Sequence, residues 1–190
     1  MNMNDSLQNE ALKKWGEAIS EFHLPRWDQL PDLELYMDQV IQLVDQYLSP
    51  VTTGDKHPLL TKSMVNNYVK LGLVPAPVKK RYTRTHVAFL LAITTLKQVL
   101  TIPEIKEAIV FQGRTDGIRE AYNFFCREQE SAIHLIARQA KGEGVTYPTE
   151  PIPFAYLAAR TATIAFANKI LAEKVISCEI DYVRQGEKND

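Results

Sequence analysis

Between Lys62 and Arg84 the chain gathers side chains suited to gripping a polyanion, without any arrangement suited to making or breaking bonds. Asn66 and Asn67 each carry a donor and an acceptor on one amide, and they lie between Lys62, Ser63 and Lys70. Lys79, Lys80, Arg81, Tyr82 and Arg84 follow shortly after. Residues 59–103 hold seven Lys or Arg and no Asp or Glu, whereas residues 1–58 carry a net charge of −6 and residues 104–190 of −2. The net charge of −1 for all 190 residues therefore conceals one strongly positive block, and such asymmetry points to a polyanionic partner.

Other chemistries find little support. No nucleophile elbow, phosphate-cradling glycine loop or paired-carboxylate arrangement is present, so an enzyme is not expected. His23, His57, His86 and His134 never stand at ligand spacing with one another or with a cysteine, so neither a metal nor another cofactor is expected. Cys126 and Cys178 cannot build a disulfide framework and read as small buried hydrophobes, which suits a reducing compartment. The N-terminus is polar, and the longest apolar run, Val87 to Ile93, is far too short for a membrane span. A soluble, cytoplasmic protein without a membrane partner is the expectation.

The elements that must position the basic block are nearly all helical. Apolar spacing predicts helices over Asp5–Phe22 and Asp32–Leu48, the second opened by Pro31 and presenting Leu33, Met37, Val40, Ile41, Val44, Tyr47 and Leu48 on one face. Residues 23–31 form an extended connector, with Trp27 and Leu30 plugging a core, and residues 49–58 form a loop. Thr61 caps a short helix, Lys62–Leu71, which Gly72 stops. It turns Met64, Val65, Tyr68 and Val69 inward and leaves Lys62, Ser63, Asn66, Asn67 and Lys70 on or beside the outer face. Two prolines keep 73–78 extended, and residues 78–82 read as a short strand or hairpin arm. Thr83 caps a helix to about Val99 that is apolar almost all round and should be the buried centre. Thr101 and Glu104 form a capping box for a helix ending near Gly113. Asp116–Lys141 and the Ala-rich Phe154–Val183 complete the chain, the latter suited to close approach by another helix.

A short helix, a glycine stop, a proline-bearing segment and a basic strand feeding a capped helix together predict a winged helix-turn-helix in a mainly α protein. In that geometry Asn66 and Asn67 read base edges in the major groove. Lys62 and Lys70, with Lys79, Lys80, Arg81 and Arg84 of the wing, hold phosphates. The domain organisation expected is N-terminal helices over 1–58, including a possible first helix of the motif, the winged domain over 59–113 and a helical support or dimerisation region over 114–190. A homodimer on duplex DNA is the expected partnership, because one short helix and one wing rarely give specific affinity alone.

The stretch VNNYVKLGLVPAP, followed by KKRYTRTHVAFLLAITTLKQVLTIPEIKEAI, resembles the MerR-type DNA-binding domain over about Leu59 to Ile109. Aligned on Gly72-Leu73, the resemblance places Val65 on the family's apolar position, Asn66 on a DNA-contacting arginine, and Asn67 and Tyr68 on its two tyrosines. Lys80 falls on the wing arginine, Tyr82 on its aromatic and Glu104-Ile105 on the later acidic–isoleucine pair. The resemblance implies a MerR-like winged fold and a sequence-specific transcriptional regulator. The whole chain also resembles a family of uncharacterised bacterial proteins built on such a domain, which implies no activity. The chain departs from the MerR pattern in its amides on the recognition helix and in the dozen-residue loop before it. Those departures keep open a second reading, a protein-interaction module without DNA affinity. A third, a regulator whose C-terminal helices sense a small molecule, rests on the aromatic content of that half.

Overall fold

The structure, a computed structural model, describes residues 3–52, 58–147 and 150–186. It is mainly α, with α1 (Met3–Ile19), α2 (Met37–Leu48), α3 (Lys62–Lys70), α4 (Arg84–Leu96), α5 (Ile102–Thr115), α6 (Gly117–Ala140) and α7 (Phe154–Gly186). Residues 53–57 of the expected loop, His57 among them, and residues 148–149 of the last connector lie outside the described residues. No described helix is long and apolar enough to cross a membrane.

α6 is the spine. The chain from α1 into the connector runs antiparallel along it: Gly16 lies against Ala137 and Ala140, and the Phe22 carbonyl meets His134 Nε2 at 2.9 Å. Further along, Leu24 N–H donates to Glu130 at 2.7 Å, Tyr122 O–H donates to the Pro25 carbonyl at 2.8 Å and Trp27 N–H donates to Asn123 at 2.9 Å. A Cβ on Gly16 would stand 2.8 Å from the Ala137 carbonyl oxygen and 3.0 Å from Ala140 Cβ. Glycine is what lets the two backbones lie this close. On another side α7 runs parallel to α6, since the pairs Phe124–Tyr156 and Glu128–Arg160 advance together along both helices.

The second group packs α2 and α3 around α4. Val87, Leu90, Leu91 and Ile93 of α4 are wholly inaccessible and, with Val40, Val44, Val65 and Ile105, belong to one continuous core that also takes in Ile133 and Ile136 of α6. Burying each such side chain contributes about 1.5–3 kcal/mol. α4 is thus the buried centre that its all-round apolar composition predicts. The predicted capping box at its successor forms: Thr101 N–H donates to Glu104 Oε2 at 2.8 Å, and those bonds hold the Glu104 carboxyl below the usual range.

Two expectations are corrected. The helix expected from Asp32 begins only at Met37, because Leu35 spends its backbone on Tyr82: each N–H donates to the other's carbonyl, at 2.8 and 2.9 Å. Residues 32–36 stay outside the helix, and Leu33, expected on the inward face, is 59% exposed. Nor is there a strand among the described residues. Residues 78–82 contribute only two isolated bridges, Leu35 with Tyr82 and Val78 with Arg81. The hairpin arms have no length, for the turn occupies Lys79 and Lys80 and Thr83 already caps α4.

Candidate nucleic-acid interface

α3 is a nine-residue helix made by its ends. Thr61 Oγ1 accepts from Met64 N–H at 3.2 Å, satisfying one of the orphan donors of the first turn. At the other end Leu73 N–H donates to the Tyr68 carbonyl and Gly72 N–H to the Val69 carbonyl, at 2.9 and 3.0 Å, a Schellman closure around Gly72 at φ 69°. Buried Leu73 beside buried Tyr68 supplies the apolar contact of that motif. Val65 and Tyr68 face the core, while Lys62, Ser63, Asn66, Asn67 and Lys70 are exposed. The side chains of Ser63, Asn66, Asn67 and Lys70 make no hydrogen bond or ion pair among the described residues.

The chain then turns through 72–77 and doubles back at Val78–Arg81. Arg81 N–H donates to the Val78 carbonyl at 2.8 Å, and the two residues between, Lys79 at φ 48° and Lys80 at φ 61°, are both left-handed. That sign pattern belongs to a type I′ turn, which favours Asn-Gly. A lysine held there costs about 1–2 kcal/mol. Both ammonium groups are exposed and unpartnered among the described residues. Arg81 is half-buried, its guanidinium 3.7 Å from the Tyr36 ring centroid, a cation–π contact.

The remaining cations of the acid-free block have other employment. Lys62 Nζ is 2.7 Å from Asp38 of α2, and Arg84 is 3.3 Å from Asp32. Lys97 donates to the Leu59 carbonyl at 2.7 Å from a half-buried position, where burial holds its pKa below the ordinary lysine value. The block is free of acids along the chain but not in space. Tyr82 is corrected too: it is 2% exposed, its ring edge-on to His86 at 5.2 Å and its phenol pushed up by burial, so it positions the turn and presents no surface to a partner. Lys106 of α5, which the local reading passed over, donates to the Leu71 carbonyl at 2.7 Å and adds a cation at the C-terminal end of α3. No local signal in 59–84 could have found it.

His86 carries the turn from below. Its Nδ1 accepts from Thr83 N–H at 2.9 Å, so the neutral ring keeps its proton on the buried Nε2, for which no described residue offers a well-formed hydrogen bond. Burial lowers the His86 pKa below the ordinary histidine value, and the backbone of Pro75, Thr83 and Ala76 only partly opposes it. The unfolded chain therefore takes up the proton first, and stability falls as pH drops through the ordinary histidine range near ~6.5. His86→Gln retains an acceptor at that capping position but cannot titrate. Denaturant titrations at pH 7.5 and 5.5 are expected to show a smaller stability loss in the variant than in the parent.

Comparison with known proteins yields one family model, described as a domain of unknown function (DUF1836), which matches residues 25–125. No curated protein matches the chain, and no solved structure does.

Proposed function

Since the chain belongs to that family of unknown function, matched from the connector through α2–α5 into α6, we propose that it is a sequence-specific DNA-binding regulator. In this reading it holds duplex DNA through α3 and the Lys79–Lys80 turn, in the manner of a MerR-like winged helix reduced to its turn. What supports the reading is a pair of features about twelve residues apart in the chain: two exposed amides on α3 and a strained turn with two lysines, all four side chains without a partner among the described residues. At 1.5 Å per residue α3 is about 14 Å long, a length the roughly 12 Å wide major groove admits. Asn66 and Asn67 read base edges, adenine by preference. Lys70, Lys79, Lys80 and Arg81 take phosphates, and Lys62 and Arg84 join them only by releasing Asp38 and Asp32. Residues 59–113 are the binding unit in this reading, with 114–190 supporting or pairing it into a homodimer.

Asp32 and Asp38 favour a second reading, in which the same face docks an acidic protein. By neutralising two cations they narrow the patch from an electrostatic stripe to a spot. Fluorescence anisotropy with random-sequence duplex at low salt separates the two. The full chain is expected to bind with a Kd tighter than the ~10⁻⁴ to ~10⁻⁶ M typical of non-specific binding at physiological salt, and Lys79→Ala/Lys80→Ala/Arg81→Ala to bind at least tenfold more weakly. Absence of binding, or equal binding by the variant, refutes the DNA reading.

A further inference from the structure

A second basic feature lies far from the turn along the chain, on the outward face of α6. Arg127, Ser131, His134 and Arg138 follow one another at three- and four-residue spacing, which places them on a single helical stripe. The stripe floors a cleft of about 480 Å³, with Arg26 of the connector on one wall and Thr146 on the other. Arg138 ties the stripe to the segment before Thr146: its Nε meets Glu143, which also receives Lys141 Nζ, each at 3.0 Å, and it donates to the Gly144 carbonyl at 3.2 Å.

Glu130, the only acid among the described residues lining the cleft, is spoken for. It accepts both guanidinium nitrogens of Arg26 at 2.6 Å and Leu24 N–H at 2.7 Å, with His23 Nδ1 at 3.0 Å. With its oxygens so occupied, it cannot neutralise the rest of the stripe. Arg127 has no ion pair among the described residues and only a distant aromatic neighbour, Phe124, at 5.9 Å. The hydroxyls of Ser131 and Thr146 make no hydrogen bond among the described residues. His134 donates through Nε2 to the Phe22 carbonyl, which fixes the ring against the floor. Of the three guanidiniums lining the cleft, Arg26 is held by Glu130 and Arg138 by Glu143, which leaves Arg127 unpaired among the described residues beside two free hydroxyls.

From this arrangement we infer that the cleft is a binding site for a small molecule bearing an oxyanion, a carboxylate or phosphate group, held by the unpaired Arg127 with the Ser131 and Thr146 hydroxyls. The planar guanidinium fork matches both anions bidentately, and the cleft falls within the ~300–1,000 Å³ range of small-molecule sites. The site is independent of the DNA reading. Its floor lies on residues 127–138, beyond the stretch that matches the family model, so its ligand need not be shared by that family.

Calorimetric titration of the full chain with inorganic phosphate, citrate and AMP tests the inference. At least one probe is expected to bind with a Kd below ~1 mM. Arg127→Ala should weaken it by about ten- to a hundredfold, Arg127→Lys by less because the charge survives without the fork, and Lys79→Ala/Lys80→Ala not at all. Tightest binding of citrate identifies a polycarboxylate ligand, of AMP a phosphate ester, and of phosphate the free ion. No heat from any probe up to ~10 mM overturns the proposal. So does binding that Arg127→Ala leaves unchanged, or that the Lys79→Ala/Lys80→Ala variant abolishes.

Discussion

Replacing Lys79 and Lys80 by Asn and Gly is expected to yield a more stable protein that binds duplex DNA poorly. Each lysine is held in the left-handed region, at φ 48° and 61°, at a cost of about 1–2 kcal/mol. Asn and Gly occupy that region readily, so the exchange relieves roughly 2–4 kcal/mol, against which the extra freedom of glycine in the unfolded chain returns about 1 kcal/mol. The net expectation is about 1–3 kcal/mol of stabilisation in urea titrations. The two phosphate contacts proposed for these lysines would disappear at the same time, which flattens the salt dependence of log K by about 1.8. The opposed signs are the point: a turn shaped only for folding would carry the residues that relax it, and backbone strain sustained by two bare cations is what a binding tip requires. Gain of stability with full DNA affinity would show that the turn is not the binding element.

Truncating Glu130 is the second large effect. Its side chain is 11% exposed and joins the connector to α6 through Arg26, Leu24 and His23. Desolvation pushes its carboxyl up, but the Arg26 hydrogen bonds, the Leu24 N–H and the charges of Arg26 and His23 pull further, leaving it below the usual carboxylate range. Removing one partner of a buried pair costs about 3–5 kcal/mol. Arg26 keeps some solvent contact, with 30% of its side chain exposed, so Glu130→Ala is expected to lose about 2–4 kcal/mol in urea unfolding. The depressed carboxyl also sets the sign with pH. Its contribution is complete above the ordinary carboxylate range near ~4.3 and is lost as pH falls through the lower folded-state value. Cys126, one turn before Glu130, has its thiol pushed up to about 12 by burial, so the thiol is inert while this joint holds. A Glu130→Ala protein as stable as the parent would mean that the remaining anchors, among them Trp27 on Asn123, Tyr122 on Pro25 and His134 on Phe22, suffice to hold the connector.

How much of this was legible in the sequence depends on how far each feature reaches along the chain. The caps at Thr61 and Thr101, the stop at Gly72 and the buried course of α4 involve residues a few positions apart, and their side-chain chemistry announces them. Leu35 and Tyr82 pair across 47 positions of chain, and that pairing delays α2, exposes Leu33 and draws Tyr82 out of the candidate site. Asp32 and Asp38 reach Arg84 and Lys62 for the same reason, so a charge census by window overstated the free positive charge. The left-handed turn gave no local sign at all, because Lys-Lys is a pair no turn preference selects. The cleft over α6 was equally hidden. Its stripe alternates with the apolar residues that bury the other side of the helix, and its walls come from segments over a hundred residues apart.

The salt dependence of duplex binding tests the central claim most directly. With Lys70, Lys79, Lys80 and Arg81 on phosphates, log K measured by anisotropy from ~50 to ~200 mM salt is expected to fall against log salt with a slope of about −3.6 per protomer. A slope near zero, or no binding at the lower salt, would contradict the assignment of this face to DNA.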